Sequence, residues 1–132
     1  MRKIKIACII DDDPIFVLGT KRLFEINEFA KEIRVYKNGE EALNALKETL
    51  RNGMDLPCII FLDINMPVMD GWEFLDAFGE LEGSRNSVIY MLSSSVDPSD
   101  ADRARSYSLV RDYLTKPLNQ EKLDDLNKKL YG

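Results

Sequence analysis

The residues of this chain best suited to chemistry are acids placed at the ends of apolar runs. The stretch CIIDDDPIF, residues 8–16, leaves such a run and sets Asp11, Asp12 and Asp13 side by side before Pro14. Like charges a few ångströms apart repel by about 3 to 4 kcal/mol per pair at an effective dielectric near 20. The cluster therefore needs a cation, a shared proton or open solvent. Asp63 closes CIIFLD, Ser93 follows VIYML, and Lys116 follows DYLT. Carboxylates grouped with one hydroxyl and one ammonium suit a hard divalent cation. Magnesium takes oxygen ligands, keeps several waters, and binds through one or two carboxylates plus a phosphate. Mg²⁺ with a phosphoryl group is the expected guest. Taken singly, each residue has a plainer reading: Asp13 beside Pro14 as a helix cap, Ser93 as a loop hydroxyl, Lys116 as a surface charge.

The chain contains no histidine. Its absence removes the Ser-His-Asp and Cys-His arrangements and the common zinc sites, so any chemistry runs on carboxylates, hydroxyls and lysines. The net charge of −5 lacks the basic excess that a phosphate backbone attracts, and direct nucleic-acid binding is not expected. Lys5 and Asp11 bound an apolar stretch of only Ile6 to Ile10, too short for the core of a secretory signal. No other segment reaches the length of a membrane span, and a cytoplasmic protein is expected. Cys8 and Cys58 both sit in apolar runs and are expected to be buried thiols.

Elements that could bring these groups together are legible along the chain. KIACII is a strand, and Asp13 caps a helix with Pro14 at its first position that runs to about Asn27. EIRVY is a second strand. In NGEEALNALKETLRNG, Leu43, Leu46 and Leu50 recur on one helical face and Gly53 closes the helix. CIIFLD, apolar without alternation, suits a strand buried on both faces. WEFLDAF follows as a short helix and SVIYML as the fourth strand. Asp97-Pro98 starts a weakly apolar helix expected to reach about Ser108, and DYLT is a short fifth strand. Asn119 caps a last helix with Leu123, Leu126 and Leu130 inward. Such alternation implies right-handed βαβ units, a parallel sheet and helices on both faces. This is an α/β doubly wound three-layer sandwich. Its site lies beyond the carboxyl ends of the strands, where Asp11, Asp12, Asp63, Ser93 and Lys116 stand.

The stretches IIDDDP, IIFLDINMPVMDGWEFL, VIYMLSSS and DYLTKPL resemble the receiver domain of two-component response regulators, most closely the single-domain kind related to the chemotaxis response regulator. The resemblance covers essentially the whole chain. It implies a flavodoxin-like fold, with five parallel strands in the order 2-1-3-4-5 and five helices, and a phosphorylation-activated switch rather than an enzyme acting on other substrates. Asp63 is then the phosphoacceptor, taking its phosphoryl group from a sensor histidine kinase or a histidine phosphotransfer protein. Asp12 is the main Mg²⁺ ligand, Asp11 holds a metal-bound water, Asp63 binds the metal too, and Asn65 offers its backbone carbonyl. Lys116 pairs with Asp63 at rest and with a phosphoryl oxygen afterwards. Ser93 and Tyr113 are the switch pair, altering the face made by the fourth helix, fifth strand and last helix. Met66-Pro67 and Asp70-Gly71 shape the acceptor loop, with Gly71 expected to take a conformation other residues resist. Leu109 and Ser94 depart from the family pattern, which often has glycine at the first position and alanine or glycine at the second.

Two other readings compete. Asp11-Asp12-Asp13 satisfies the D-x-D start of a haloacid-dehalogenase-type phosphatase, with Asp11 as nucleophile and Asp13 as acid/base. That family's extra length and downstream acidic pair are missing, and LDINMPVMDG would go unexplained. A phosphorylation-silent interaction module is the other, but such loss shows as a missing acceptor, ligand or lysine, and none is missing. A flavin site is disfavoured because the first loop carries acids where a cofactor phosphate needs donors. Residues 1–132 are expected to be one receiver domain without an output domain. It would be a monomer or an activation-dependent dimer, signalling through an unknown protein target.

Overall fold

The computed structural model describes residues 4–95 and 97–131. Five strands, β1 (Ile4–Ile10), β2 (Ala30–Tyr36), β3 (Ile59–Asp63), β4 (Val88–Ser93) and β5 (Val110–Thr115), alternate with helices α1 (Pro14–Ile26), α2 (Gly39–Arg51), α3 (Gly71–Phe78), α4 (Pro98–Arg105) and α5 (Gln120–Tyr131). All strand pairs are parallel, in the order β2-β1-β3-β4-β5. The flavodoxin-like expectation holds. Every residue of β3 is buried, as expected of a central strand covered on both faces.

Two apolar layers flank the sheet. On one side α2, α3 and Ala104 of α4 close over Cys8, Ile10, Ile60, Leu62, Ile89 and Met91. On the other, α1 and α5 close over Ala7, Ile9, Ile59, Phe61, Tyr90 and Leu92. The period of the helices decides which side chains go in. Phe16, Thr20 and Phe24 of α1 are buried at four-residue spacing, and Leu123 and Leu126 of α5 are buried with Leu130 partly so. In α2, Leu43 and Leu46 are buried and Leu50 half-buried. Each fully buried leucine contributes about 1.5–3 kcal/mol relative to exposure.

The helix starts carry side-chain caps, at the expected residue for Asp13, Asp97 and Asn119. Asp13 accepts from the backbone of Ile15 and Phe16, Asn38 from Glu41, Asp97 from Ser99, and Asn119 from Lys122. Asp70 and Glu73 form a reciprocal capping box on α3. Gly53, just beyond α2, is left-handed at φ 72°.

Several details differ from the sequence reading, among them β2, which starts at Ala30, two residues before EIRVY. Cys58 is exposed. It precedes β3 at the sheet's amino end, and only its backbone is held, between Ile6 and Val88. Helix α4 stops at Arg105 rather than near Ser108, because the chain turns there, with the Tyr107 N–H donating to the Ala104 carbonyl. β5 starts two residues earlier than DYLT, and a bulge pairs Ile89 with Val110 but Tyr90 with Asp112, leaving exposed Arg111 as the extra residue. Leu109 enters this strand half-buried against the first apolar layer. It is not among the left-handed residues, so the position needs no glycine.

Gly71 is required for a reason other than the one expected. A Cβ there would stand 2.7 Å from the Asp63 carbonyl oxygen and 2.9 Å from Ile64 Cα, so the constraint is close approach of backbone, not torsion. The left-handed residue of this loop is Val68, at φ 70°. No helix among the described residues is long and apolar enough to cross a membrane.

Candidate functional site

The acids meet where β1 and β3 end. Asp11 follows β1 and is 2% exposed. Its N–H donates to the Tyr36 carbonyl at 3.0 Å, and its Oδ1 accepts from the Asp13 N–H at 2.9 Å. Asp63 is the last residue of β3 and 4% exposed, whereas Asp12 is exposed. One carboxylate oxygen from each of Asp11, Asp12 and Asp63 lies within 4.8 Å of the others. The neighbouring Asp13 is used differently. Its Oδ1 accepts from Ile15 and Phe16 at 3.0 and 3.3 Å, which makes it a helix cap and argues against a D-x-D acid/base role.

Lys116, directly after β5, enters this cluster from the opposite side. Its Nζ stands 2.7 Å from Asp11 Oδ2 and 3.5 Å from Asp63 Oδ1, and 4.7 Å from the centre of the Phe16 ring. The resting partner expected from the sequence was Asp63, yet Asp11 is nearer. Burial by itself would lower the lysine's pKa, but the hydrogen bond and charge of Asp11, with Asp63 behind, carry it above its ordinary value. Asp63 moves up as well, from 3.8 to about 6. Burial is the main cause, the Asp11 charge adds to it, and Lys116 opposes both.

The donor set suits a hard cation. It consists only of oxygens, with Asp12 open to water. Asp11 Oδ2 is buried, and among the described residues its partner is the Lys116 ammonium at 2.7 Å. A carboxylate oxygen with a single partner keeps a further lone pair, which a hard cation could use. Asn65, exposed, follows Asp63 by two residues, and its N–H reaches Asp63 Oδ1 at 3.4 Å.

The hydroxyl and the aromatic residue lie on the neighbouring strands. Ser93, the last residue of β4, is buried. Its Oγ donates to the Ser95 carbonyl at 2.9 Å and accepts from the Ser95 N–H at 3.3 Å. The Tyr113 hydroxyl, from β5, donates to that same Ser95 carbonyl at 2.9 Å. The Lys116 N–H donates to the Ser93 carbonyl at 2.8 Å, which ties the lysine's backbone to the hydroxyl's. Ser94 lies exposed beside Lys116 and Pro117.

All the expected site residues thus gather at one rim. The sequence reading missed three contributors. Phe16, beneath the ammonium, was accessible in principle from its four-residue spacing with Thr20 and Phe24. The shared Ser95 carbonyl and the Lys116–Asp11 contact join residues distant in sequence, and no local pattern announces them. Beyond the rim, Arg103 of α4 lies 4.6 Å over the Trp72 ring of α3. Tyr107 stacks on the same ring at 5.9 Å and donates its hydroxyl hydrogen to Asp76 at 2.9 Å.

Comparison with known proteins agrees with this arrangement. Residues 7–128 match the family model described as the response regulator receiver domain. A probable methanogenesis regulatory protein, FilR2 of Methanothrix harundinacea, is 33% identical over 89% of the chain and 76% of its own length. Hybrid signal transduction histidine kinase I of Dictyostelium discoideum is 31% identical over 83% of the chain, which spans only 6% of that protein. Among solved structures, a two-component response regulator from Cytophaga hutchinsonii is 35% identical and covers 98% of both chains with a TM-score of 0.87.

Proposed function

The chain belongs to the response regulator receiver domain family, whose members are phosphorylation-activated switches of two-component systems, and on that premise we propose that Asp63 is its phosphoacceptor. One observation carries the assignment. Asp63 ends the central strand, buried, with Lys116 at 3.5 Å and the carboxylates of Asp11 and Asp12 gathered beside it. An Asp63 oxygen attacks the phosphorus of a phosphohistidine on a partner kinase or phosphotransfer protein. The new O–P bond forms as the P–N bond breaks, the imidazole nitrogen keeps the electron pair, and the product is an aspartyl phosphate.

Asp12, Asp11, Asp63 and the Asn65 carbonyl would hold Mg²⁺, Asp11 through a metal-bound water. Bound there, the metal supplies charge neutralisation for the phosphoryl oxygens. Lys116 moves its ammonium from Asp11 to a phosphoryl oxygen. Ser93 releases the Ser95 carbonyl and donates to another phosphoryl oxygen. Tyr113, bound to that carbonyl, then experiences the change, and the face made by α4, β5 and α5 is altered for a protein target.

Incubation with acetyl phosphate and Mg²⁺, read by intact mass, tests this. The expected result is the gain of one phosphoryl group in the parent and none in Asp63→Asn or with EDTA. A gain that persists in Asp63→Asn would move the acceptor elsewhere, and failure of the parent both to gain mass and to bind Mg²⁺ would favour a silent interaction module.

A further inference from the structure

Opposite Lys116, the rim is closed by the connection between β2 and α2. It leaves β2 at Tyr36, whose carbonyl receives the Asp11 N–H at 3.0 Å. Three residues later the chain reaches Gly39, the first residue of α2, behind its cap Asn38. Here the connection meets the loop that carries Asp63 onward. A Cβ at Gly39 would stand 2.9 Å from the Met69 carbonyl oxygen, 3.0 Å from Met69 Cγ and 3.2 Å from Met69 Cβ. Favourable carbon contacts lie near 3.5–4.0 Å, so any side chain at position 39 must push Met69 away. Alanine is the better helix former. What excludes it here is the neighbour.

Met69 is itself held in a strained turn. Val68 is left-handed at φ 70°, and the Met69 N–H returns to the Pro67 carbonyl at 2.7 Å. This is a γ-turn of the rare hand, centred on a β-branched residue that resists positive φ. Strain of that kind persists only where surrounding packing over-determines it. The packing lies on both sides of the turn: Met69 rests on Gly39 and the first apolar layer, and the Gly71 N–H is fixed to the Ile64 carbonyl at 2.8 Å. Between these points runs the segment with Asn65, whose N–H reaches Asp63 Oδ1.

We propose that Gly39 is a positioning residue for the acidic site: by lacking a side chain it seats Met69, and so sets where the loop from Asp63 to Gly71 holds Asn65 against the carboxylates. The inference rests on the reading that Asp11, Asp12, Asp63 and Asn65 bind Mg²⁺. It predicts that a change two elements away from the metal acts on metal affinity.

The experiment titrates Mg²⁺ alone, followed by backbone amide shifts, and then measures phosphorylation by acetyl phosphate across Mg²⁺ concentrations. Gly39→Ala is compared with the parent and with Gly19→Ala, a glycine-to-alanine change within α1 where nothing lies within 4 Å of the added Cβ. Gly39→Ala is expected to weaken Mg²⁺ binding about tenfold, as loss of outer support for a metal site typically does. The Mg²⁺ concentration for half-maximal phosphorylation should rise in step while full phosphorylation returns at saturating metal, a split that a partly misfolded sample would not give. Gly19→Ala should match the parent. If Gly39→Ala does not fold, Met69→Ala, which removes the seated side chain, decides with the same expected loss. Parent-like Mg²⁺ affinity in folded Gly39→Ala, or in Met69→Ala where that is the deciding variant, overturns the inference. Absence of Mg²⁺ shifts at the acids in the parent overturns instead the reading beneath it.

Discussion

The ammonium of Lys116 stands nearer to Asp11, at 2.7 Å, than to Asp63, at 3.5 Å. The lysine therefore neutralises a carboxylate of the acidic cluster and leaves Asp63 only partly compensated. Both partners of the closer pair are largely shielded from solvent.

Removing one member of such a pair strands the other. Lys116→Met is expected to destabilise the protein by about 3 kcal/mol in metal-free buffer, the scale of a broken buried ion pair. Added Mg²⁺, supplying the missing positive charge, should recover part of that loss. Urea unfolding with EDTA or with Mg²⁺ measures both values, and an equal loss in the two buffers would contradict the shared-charge picture.

Asp63 gives a prediction in pH. Its carboxyl rises from 3.8 to about 6 in the folded protein, so between these values the native state binds the proton more tightly than the unfolded chain. Stability from this group is complete below about pH 4, falls as pH rises towards 6, and stays lost above it, for about 3 kcal/mol in all. Without metal, Asp63→Asn should be more stable than the parent at pH 7, and the advantage should vanish near pH 4. Denaturant unfolding of the two proteins across this range checks the sign. Mg²⁺ should narrow the gap at pH 7.

Ser93 and Tyr113 send their hydroxyls to one acceptor, the Ser95 carbonyl. A double-mutant cycle of Ser93→Ala and Tyr113→Phe should therefore be non-additive, with a coupling of about 0.5 kcal/mol or more. Each single change should cost about 1 kcal/mol, the net worth of an ordinary hydrogen bond. Additivity within experimental error would mean that the two residues do not communicate through the loop.

The two thiols should behave oppositely. Cys58 is exposed, while Cys8 is wholly buried in β1 and its thiol is pushed far up by that burial. An aromatic disulfide reagent at pH 8 should label one thiol in the native protein and the second only on unfolding. Rapid labelling of both would contradict the placement of Cys8.

The sequence carried the periodic and punctuated parts of this molecule. Asp13-Pro14, Asp97-Pro98 and Asn119 marked helix starts because a capping oxygen acts within three residues of itself. The site acids were legible because apolar runs end where a parallel sheet gathers its working edge. Cys58 was misread since an apolar neighbourhood in sequence says nothing of whether a helix covers that end of the strand. Gly71 was assigned the wrong cause because torsion is local, whereas the carbonyl it must clear belongs to Asp63 in another element. Likewise, the preference of Lys116 for Asp11 depends on a difference under an ångström between groups more than fifty residues apart in sequence.

Helix α4 sinks a single methyl group, that of Ala104, into the core; its Arg103 lies over Trp72 of α3, and Tyr107, just past its end, holds Asp76 of α3. Such attachments are individually worth about 1 kcal/mol or less at an exposed site. The element is lightly attached to a sheet whose central strand is buried on both faces. A phosphoryl group making one or two new charge-assisted bonds at the rim has leverage enough to change the occupancy of α4 positions by tenfold, which about 1.4 kcal/mol of differential binding accomplishes. The rest of the fold, with its layers of buried leucine, isoleucine and phenylalanine, would stay where it is.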